Sequence, residues 1–221
     1  MPVTEFVTIS LVPGSDITNP RHPTSVALRN MMDASQKTQV PGQLMSRVGM
    51  QVEHPLVLET VIIWDSLEAH MAYMQTPAYT TIKGVVQSIR EPDKKGSMQH
   101  FKFTPFDGLK QAISAPMTEV ARFFYNDYPD EKMLAGFIEF GKRLDEGNVE
   151  GALGCSAALP DDEVGYDYGE GRVILLVIGW QSIAAHEAFK KTQLFTDLVP
   201  LLKSEKAANI ELHHTRFGLP I

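Results

Sequence analysis

The chain of 221 residues has one cysteine and no long hydrophobic run, and each shortage excludes a class of protein. Cys155 alone cannot form an intramolecular disulfide, which favours a reducing compartment and a buried thiol that packs as a small hydrophobe. The longest apolar run, Val173 to Trp180, is far shorter than the ~20 residues of a membrane helix. The N-terminus lacks the basic start and apolar run of a secretory signal. We therefore expect a cytoplasmic protein that does not interact with membranes.

Positive charge is also scarce. Lysine and arginine total 20 against 27 aspartates and glutamates, and the net charge of -7 argues against nucleic acid as a partner. The composition, 43% hydrophobic and 21% charged, is that of a globular protein. A chain of this length is long enough for one large domain or two small ones.

Several motifs that carry chemistry are missing. The sequence has no cysteine pair for zinc or an iron-sulfur cluster and no G-x-S-x-G motif of a serine hydrolase. Its glycine-rich stretch GYDYGEG, at 165–171, is an acidic connection rather than a phosphate-binding loop. These absences predict a protein without a bound metal.

A repeat links the two halves of the chain. The segment WDSLEAHMAYMQTPAYT at 64–80 aligns without a gap with WQSIAAHEAFKKTQLFT at 180–196, at an offset of 116 residues. Chance gives about one identity in such a window, so a larger number indicates a fused duplication. Seven pairs are identical: Trp64, Ser66, Ala69, His70, Ala72, Thr76 and Thr80 with Trp180, Ser182, Ala185, His186, Ala188, Thr192 and Thr196.

Hydrophobic patterning gives both halves the same order of elements. Each tryptophan ends an apolar run typical of a strand buried on both faces, and a serine two residues later is a predicted helix N-cap. Thr76-Pro77 predicts a kink in the first-half helix. Further helices are predicted at 25–39 and 131–146, and strands at 6–12, 46–53, 56–64, 98–103, 118–125, 152–159, 173–180 and 209–217. This order, β-α-β-β-α-β twice, is ferredoxin-like.

The repeat also predicts the domain boundaries. Residues 1–106 form the first ferredoxin-like half, residues 116–221 form the second, and 107–115 form a linker that lacks strong periodicity.

The strand that ends in Trp64, the step Glu68-Ala69-His70 and the turn Thr76-Pro77-Ala78-Tyr79 resemble the dimeric α+β barrel superfamily. This group includes the antibiotic biosynthesis monooxygenase and stress-responsive barrel proteins. In that family, ferredoxin-like units from two chains pair their antiparallel sheets into one barrel with the helices outside. The resemblance implies an α+β fold in which one polypeptide supplies both units of the barrel. It is also compatible with a homodimer of two such fused barrels.

His70 is the first candidate catalytic residue, because an imidazole titrates near neutral pH and can act as a general base. The alternative is a local packing role, which the repetition at His186 favours. Catalytic positions often survive in only one copy of a duplication, whereas positions that determine the fold repeat.

Tyr73 and Tyr79 correspond to phenylalanines in the second half, so phenol chemistry is available only in the first half. We therefore predict the main polar pocket there, with the tyrosines as hydrogen-bond donors to a developing enolate. Related plant polyketide cyclases place a tyrosine and a histidine at the spacing of Tyr73 and Tyr79, so Tyr79 departs from their pattern. The alternative is that both tyrosines are amphipathic core residues.

Arg122, His214 and Trp64 are predicted to contact the substrate. Arg122 interrupts an apolar strand, and a buried arginine needs an anionic partner such as a ligand carboxylate or Glu119. We expect His214 to converge with Arg122, although exposure of Arg122 at a sheet edge is an alternative. His213 and His214 point to opposite faces of a regular strand, so they cannot chelate one metal together.

The resemblance implies a cofactor-independent enzyme of secondary metabolism that acts on a hydrophobic aromatic or polyketide-like small molecule. The reactions that it implies are cyclisation, isomerisation, decarboxylation and oxygenation, in a pocket between the sheet and the helices. We favour proton transfer by His70 and Tyr73. One alternative is a haem-binding or haem-degrading protein, since the superfamily also contains haem proteins. Another is a non-catalytic stress or ligand-binding protein.

Overall fold

The computed structural model describes residues 2–94, 96–127, 129–161, 173–203 and 206–218. The acidic connection expected at 165–171 lies outside these residues. None of the helices in the described ranges is both long enough and apolar enough to cross a bilayer.

Both halves follow the predicted order, with the second helix of each half divided into two. The strands are β1 Val3–Ser10, β2 Gln43–Gln51, β3 Val57–Trp64, β4 Ser97–Thr104, β5 Met117–Phe124, β6 Ala152–Pro160, β7 Val173–Trp180 and β8 Asn209–Phe217. The helices are α1 Pro23–Thr38, α2 Leu67–Tyr73, α3 Pro77–Ile89, α4 Phe106–Ala112, α5 Glu131–Glu146, α6 Ile183–Phe189 and α7 Gln193–Leu198, followed by a 3-10 turn at Val199–Leu202. The predicted α+β, ferredoxin-like class is confirmed.

The chain divides into two compact units. The first contains the residues up to His100 together with Gly218, and the second spans Phe101–Phe217, so the boundary falls within β4. In the first unit β3 pairs with β1 and with β2. In the second unit the strands follow the order β8-β5-β7-β6-β4. Every one of these pairings is antiparallel.

The two tryptophans occupy equivalent positions in the two sheets. Trp64 ends β3 opposite the first residues of β1 and β2, and Trp180 ends β7 opposite the first residues of β5 and β6. In each unit one of the two strands paired with the tryptophan strand, β2 or β6, has a register shift near its start. All eight residues of β7 are buried, as predicted for a strand covered on both faces.

The break in the helix after each tryptophan comes from a second cap. The Thr76 hydroxyl accepts a hydrogen bond from the backbone N–H three residues ahead and starts α3, with Pro77 at its first position. We predicted a kink at this point, and the structure has two separate helices. Thr192 caps α7 in the same way, and Gln193 replaces the proline there. The break therefore depends on the threonine cap rather than on proline.

The segment expected as a linker contains α4, which packs on β6 and β7 within the second unit. Three glycines make this close contact. A Cβ at Gly108 would overlap the carbonyl oxygen of Cys155, and one at Gly179 would lie 2.8 Å from Cα of Ala112. Gly154 has a φ of +139° and faces Gln111 of α4. Gly154 therefore lies where α4 approaches the sheet closely.

We expect Gly108→Ala to destabilise the protein by about 1–3 kcal/mol, because α4 must move away from the sheet to accommodate the methyl group. Urea unfolding of the variant and the wild type measures this change. Gly84→Ala is the matched control, because its Cβ on α3 meets no atom within 4 Å. Alanine is favoured over glycine within a helix by roughly 0.5–1 kcal/mol, so the control is expected to gain stability. Equal effects of the two substitutions would contradict the packing account.

Candidate functional site

Each unit buries a cluster of one glutamate, one tryptophan and two histidines. All eight side chains belong to residues that are at most 5% exposed. The first cluster is Glu5, Trp64, His70 and His100, and the second cluster is Glu119, Trp180, His186 and His214.

The first cluster is a connected chain of polar contacts. The indole N–H of Trp64 donates to Oε2 of Glu5 at 2.8 Å. Nε2 of His70 lies 3.4 Å from the same oxygen, and its Nδ1 shares a hydrogen bond of 2.8 Å with Nε2 of His100. The His70 ring stacks on Trp64, with 4.8 Å between ring centroids.

The second cluster repeats this arrangement closely. Trp180 donates to Oε2 of Glu119 at 2.8 Å, and Nε2 of His186 lies 3.4 Å from that oxygen. Nδ1 of His186 shares a hydrogen bond of 2.9 Å with Nε2 of His214. The His186 ring stacks on Trp180 at 5.1 Å.

The fold places these four groups together through local sequence signals. The glutamate comes from the first strand of each unit, the tryptophan from the end of the third, and one histidine from the last strand. The other histidine lies on the short helix that starts at the serine cap. Ser66 accepts from the N–H of Ala69, and Ser182 accepts from that of Ala185. This cap fixes the start of the helix, so the histidine four residues after it lies over the tryptophan.

Burial disfavours the charged form of both carboxylates. It raises the pKa of Glu119 to about 7, while the hydrogen bond from Trp180 and the charge of Lys190 act in the opposite direction. Burial also raises the pKa of Glu5, against the hydrogen bond from Trp64 and the charge of His100. A carboxyl group that titrates near neutral pH can accept and return a proton during a reaction.

A cavity of about 210 Å³ borders the second cluster. Glu119, His186 and Lys190 supply its polar groups, and the rest of its wall is apolar. The apolar lining is Ala121, Phe123, Phe140, Leu176, Ile178, Trp180, Phe189, Phe195, Val199, Leu202, Ile210 and Leu212. This cavity lies in the second unit. The sequence predicted the main polar pocket in the first half, because only that half has Tyr73 and Tyr79.

The first unit has a larger groove of about 490 Å³. Its wall consists of residues 12–15, 22–24, 27, 88 and 89, which follow β1, begin α1 and end α3. No residue of the first cluster and none of the predicted site residues lines this groove.

The structure brings the predicted catalytic residues of the first half together around Trp64. The Tyr73 ring lies 5.5 Å from the Trp64 ring and 5.7 Å from the Tyr79 ring. Burial and the charge of Glu5 raise the pKa of both tyrosines. Both therefore keep their hydroxyl protons at neutral pH, which their predicted role as hydrogen-bond donors requires, and that role stays a prediction. Trp64, a predicted substrate contact, is 1% exposed and lies beneath His70.

The expected convergence of Arg122 with His214 is wrong. In the sheet His214 lies opposite Glu119, whereas Arg122 lies opposite Glu211. Side chains alternate between faces along a strand and opposed residues share a face, so Arg122 faces away from Glu119 and His214. The expectation that Glu119 neutralises Arg122 fails for the same reason. The register does confirm that His213 and His214 point to opposite faces, because His213 lies opposite Val120.

Sequence reasoning missed Glu5 and His100 and gave Glu119 the wrong partner. The gapless match at an offset of 116 covers only the strand end and the helices, whereas these residues repeat at an offset of 114. A short repeat at this second offset could have identified them: Thr4-Glu5 and Thr118-Glu119 stand at the same position in the first strand of each half. The last strands carry it too, as HFKF at 100–103 and HTRF at 214–217.

Two kinds of cofactor can be compared with these residues. The donor atoms of Glu5, His70 and His100 all lie within 4.8 Å of one another, but Glu5 lies at Nε2 of His70 and His100 at its Nδ1. Ligands at about 2.0–2.2 Å from one ion are at most about 4.4 Å apart, so a single metal ion would have to displace these side chains. Haem, the alternative drawn from the family, does not fit His70 or His186. Each residue is at most 4% exposed, and both of its ring nitrogens lie against a buried glutamate or histidine, so neither ring presents a nitrogen to a haem iron.

The raised pKa of Glu119 predicts how stability depends on pH. Folded Glu119 keeps its proton up to about pH 7, whereas the group ordinarily loses it near pH 4.5. Between these values the folded state binds more protons, so the free energy of unfolding falls as pH rises. Glu119→Gln cannot titrate and lacks this fall. We expect its free energy of unfolding to gain up to about 3 kcal/mol relative to wild type between pH 4.5 and 8.

Urea unfolding at several pH values measures this difference. Glu150→Gln at an exposed position is the control, and its stability is expected to follow wild type at every pH. Parallel pH profiles for Glu119→Gln and wild type would show that Glu119 is not desolvated in the folded protein.

No known family profile matches this chain, and no curated protein sequence is similar to it. Solved structures do share its fold. A proposed monooxygenase from Lactobacillus acidophilus aligns with a TM-score of 0.62 at 9% identity, over 98% of this chain and 93% of that one.

An anthrone oxidase-like protein aligns with a TM-score of 0.64 at 13% identity, over 98% of this chain and 91% of that one. A proposed monooxygenase from Fusobacterium nucleatum aligns with a TM-score of 0.61 at 15% identity, over 98% and 92%. Identities this low show the fold and not the reaction. The chain therefore shares its fold with these structures, and this α+β fold is the one that the sequence resemblance implied.

Proposed function

We propose that the protein oxidises a compact aromatic ketone of the anthrone type with molecular oxygen, without a cofactor, in the second-unit cavity. The observation that carries this proposal is the position of the Glu119 carboxyl group. It combines a pKa of about 7 with a place beside His186 at the polar end of an apolar cavity. A buried base of this kind suits the removal of a proton from a carbon whose anion is delocalised onto a carbonyl oxygen.

The size and lining of the cavity favour a small, flat, hydrophobic substrate. Its volume of about 210 Å³ lies below the range of ~300–1,000 Å³ typical of sites for drug-sized ligands. Phe189 and Phe195 meet edge to face at 5.4 Å and provide aromatic surface in its wall. The structural neighbour described as anthrone oxidase-like supports the substrate class.

The proposed reaction balances with oxygen as the only co-reactant. Glu119 takes a proton from the CH₂ group opposite the ketone, and the resulting carbanion is delocalised as an enolate. The carbanion adds to O₂ to give a hydroperoxide after protonation. Loss of water from this hydroperoxide breaks the O–O bond and the remaining C–H bond and forms the second carbonyl. Anthrone and O₂ thus give anthraquinone and water, and Glu119 is regenerated.

The two histidines hold Glu119 ready for this step. His186 lies 3.4 Å from its oxygen and can share the abstracted proton, while the hydrogen bond to His214 fixes the orientation of the His186 ring. Lys190 also lines the cavity, and its positive charge favours the enolate over the neutral ketone.

The first cluster offers the competing site. His70, with Tyr73 and Tyr79 as hydrogen-bond donors, is the arrangement that the sequence predicted for the same proton transfer. It differs from the second cluster in having phenol groups. Because the two clusters lie in different units, a single substitution in one cluster tests the catalytic role of that cluster alone.

We expect Glu119→Gln and His186→Gln to lower the rate of anthraquinone formation about 100-fold to 10,000-fold, as for loss of a catalytic acid or base. Formation of anthraquinone from anthrone in aerated buffer, followed by absorbance, measures this rate. In wild type, kcat/KM is expected to rise with pH to a plateau above about pH 7, where Glu119 is ionised.

His70→Gln and Tyr73→Phe are the matched variants for the first cluster. Loss of turnover in these two, with wild-type turnover in Glu119→Gln and His186→Gln, would move the reaction to the first unit. Wild-type turnover in all four folded variants would reject proton transfer by either cluster. A pH profile without a change near pH 7 would contradict Glu119 as the base.

A further inference from the structure

Two exposed apolar residues of β8 continue the wall of the second-unit cavity to the protein surface. Ile210 is 41% exposed and Leu212 is 46% exposed, and both line the cavity. Among the exposed large apolar residues in the described part of the chain, they are the pair that also borders this cavity. Apolar surface left in water beside a ligand cavity is typical of a surface that a ligand covers.

The pairing of β8 with β5 shows where these two residues lie relative to the proposed base. Every second residue of β8 shares the face of Glu119, which lies opposite His214. The next residues on this face are Leu212 and then Ile210, each opposite a cavity residue of β5. Four residues of strand span about 13 Å. Leu212 and Ile210 therefore form an apolar strip that leads from the buried base to the exposed surface.

The cavity itself holds little more than a ring system. Its volume of about 210 Å³ is below that of sites for drug-sized ligands. A fused ring system that places its reacting carbon beside Glu119 therefore fills it, and any further group on the rings must leave the cavity. The apolar strip lies on that way out.

The surroundings of the strip favour an apolar group over a charged one. Lys190 also lines the cavity, and its side chain is 43% exposed. Its ammonium group is already paired with the carboxylate of Glu187 at 2.9 Å. An anionic substituent would compete with this ion pair, whereas an apolar substituent covers surface that is otherwise in water.

The first unit differs at the equivalent positions. At the offset of 114, Ile210 and Leu212 correspond to Gly96 and Met98. A Cβ at Gly96 would lie 2.9 Å from the carbonyl oxygen of Thr8, so this position lacks room for a side chain. The pair of large branched side chains thus belongs to the unit that has the cavity with the proposed base.

We infer that the substrate carries an apolar substituent, such as a short alkyl chain, which extends from the ring system out of the cavity and lies over Leu212 and Ile210. This inference deepens the proposed function and rests on it for the identity of the ring system. It makes the two residues determinants of substrate choice that take no part in proton transfer.

The binding of two quinones tests the inference without turnover, because a quinone is the product of the proposed reaction. Anthraquinone is the ring system alone, and 2-pentylanthraquinone adds an alkyl chain. Quenching of tryptophan fluorescence measures both affinities, since Trp180 lines the cavity. Complete burial of one CH₂ group strengthens binding about fourfold. We expect wild type to bind the pentyl compound at least about 10-fold more tightly than anthraquinone, because part of the chain leaves water.

Ile210→Ser and Leu212→Ser are expected to reduce this ratio of affinities to less than about 3-fold in the double variant, because the strip is then polar. Leu153→Ser is the matched control. Leu153 is 42% exposed in the same unit and does not line the cavity. Its variant is expected to keep the wild-type ratio. Substitutions at exposed positions usually change stability little, so all of these variants are expected to fold.

Several results would overturn the inference. They are failure of wild type to bind the pentyl compound more tightly, an unchanged ratio in the double variant, and the same loss of ratio in Leu153→Ser. Sedimentation adds another: a wild-type dimer that dissociates in the double variant would make the strip an interface between copies of this chain.

Anthrone turnover by wild type separates this inference from the proposed function. Turnover without tighter binding of the pentyl compound would remove the inference and leave the reaction in place. Tighter binding of the pentyl compound without turnover would remove the reaction and leave the strip as a binding surface for an apolar group.

Discussion

The hydrogen bond from a buried indole N–H to a buried carboxylate is the interaction on which both units depend. Moving an ionised carboxylate out of water costs several kcal/mol unless it is paired. In each unit the tryptophan and one histidine meet the same glutamate oxygen. The pKa of both glutamates remains raised, so this pairing does not fully offset the cost of burial. Each unit thus contains a buried carboxyl group whose charged form is disfavoured.

Duplication has kept these clusters while their surroundings have diverged. Tyr73 and Tyr79 of the first unit become Phe189 and Phe195 in the second, which removes two hydroxyl groups and leaves an apolar wall. Met71 and Met74 of the first unit correspond to Glu187 and Lys190, which form an ion pair near Glu119, and of the two charges that of Lys190 has the larger effect on Glu119. The proposed proton transfer in the second unit depends on these neighbours rather than on the cluster alone.

The sequence predicted those elements that a local pattern determines. The strand of Val173–Trp180 and the helix of Glu131–Glu146 have the predicted bounds, because a continuous apolar run and a helical period specify them without tertiary contacts. The helix α4 was missed, because its glycine and short length reflect packing on β6 and β7 rather than helix propensity.

The candidate site was predictable only in part. His70 and the tyrosines were found because they lie in the gapless repeat around Trp64. Glu5 and His100 lie on strands that repeat at a different offset, and neither stands in a motif of its own. Arg122 was predicted to contact the substrate because it is a charged residue in an apolar strand, but only the register shows which face of the sheet it occupies. Which buried polar groups meet is a property of strand pairing, which single-sequence patterns do not determine.

Both tryptophans hold a buried carboxylate, and Trp180 borders the proposed ligand cavity. Because the protein has two tryptophans, its NMR spectrum contains two indole N–H signals, which Trp64→Phe assigns. The account predicts that both signals exchange slowly with solvent and that only the Trp180 signal shifts when anthrone is added. Fast exchange of either signal, a shift of the Trp64 signal, or no shift of the Trp180 signal would contradict it.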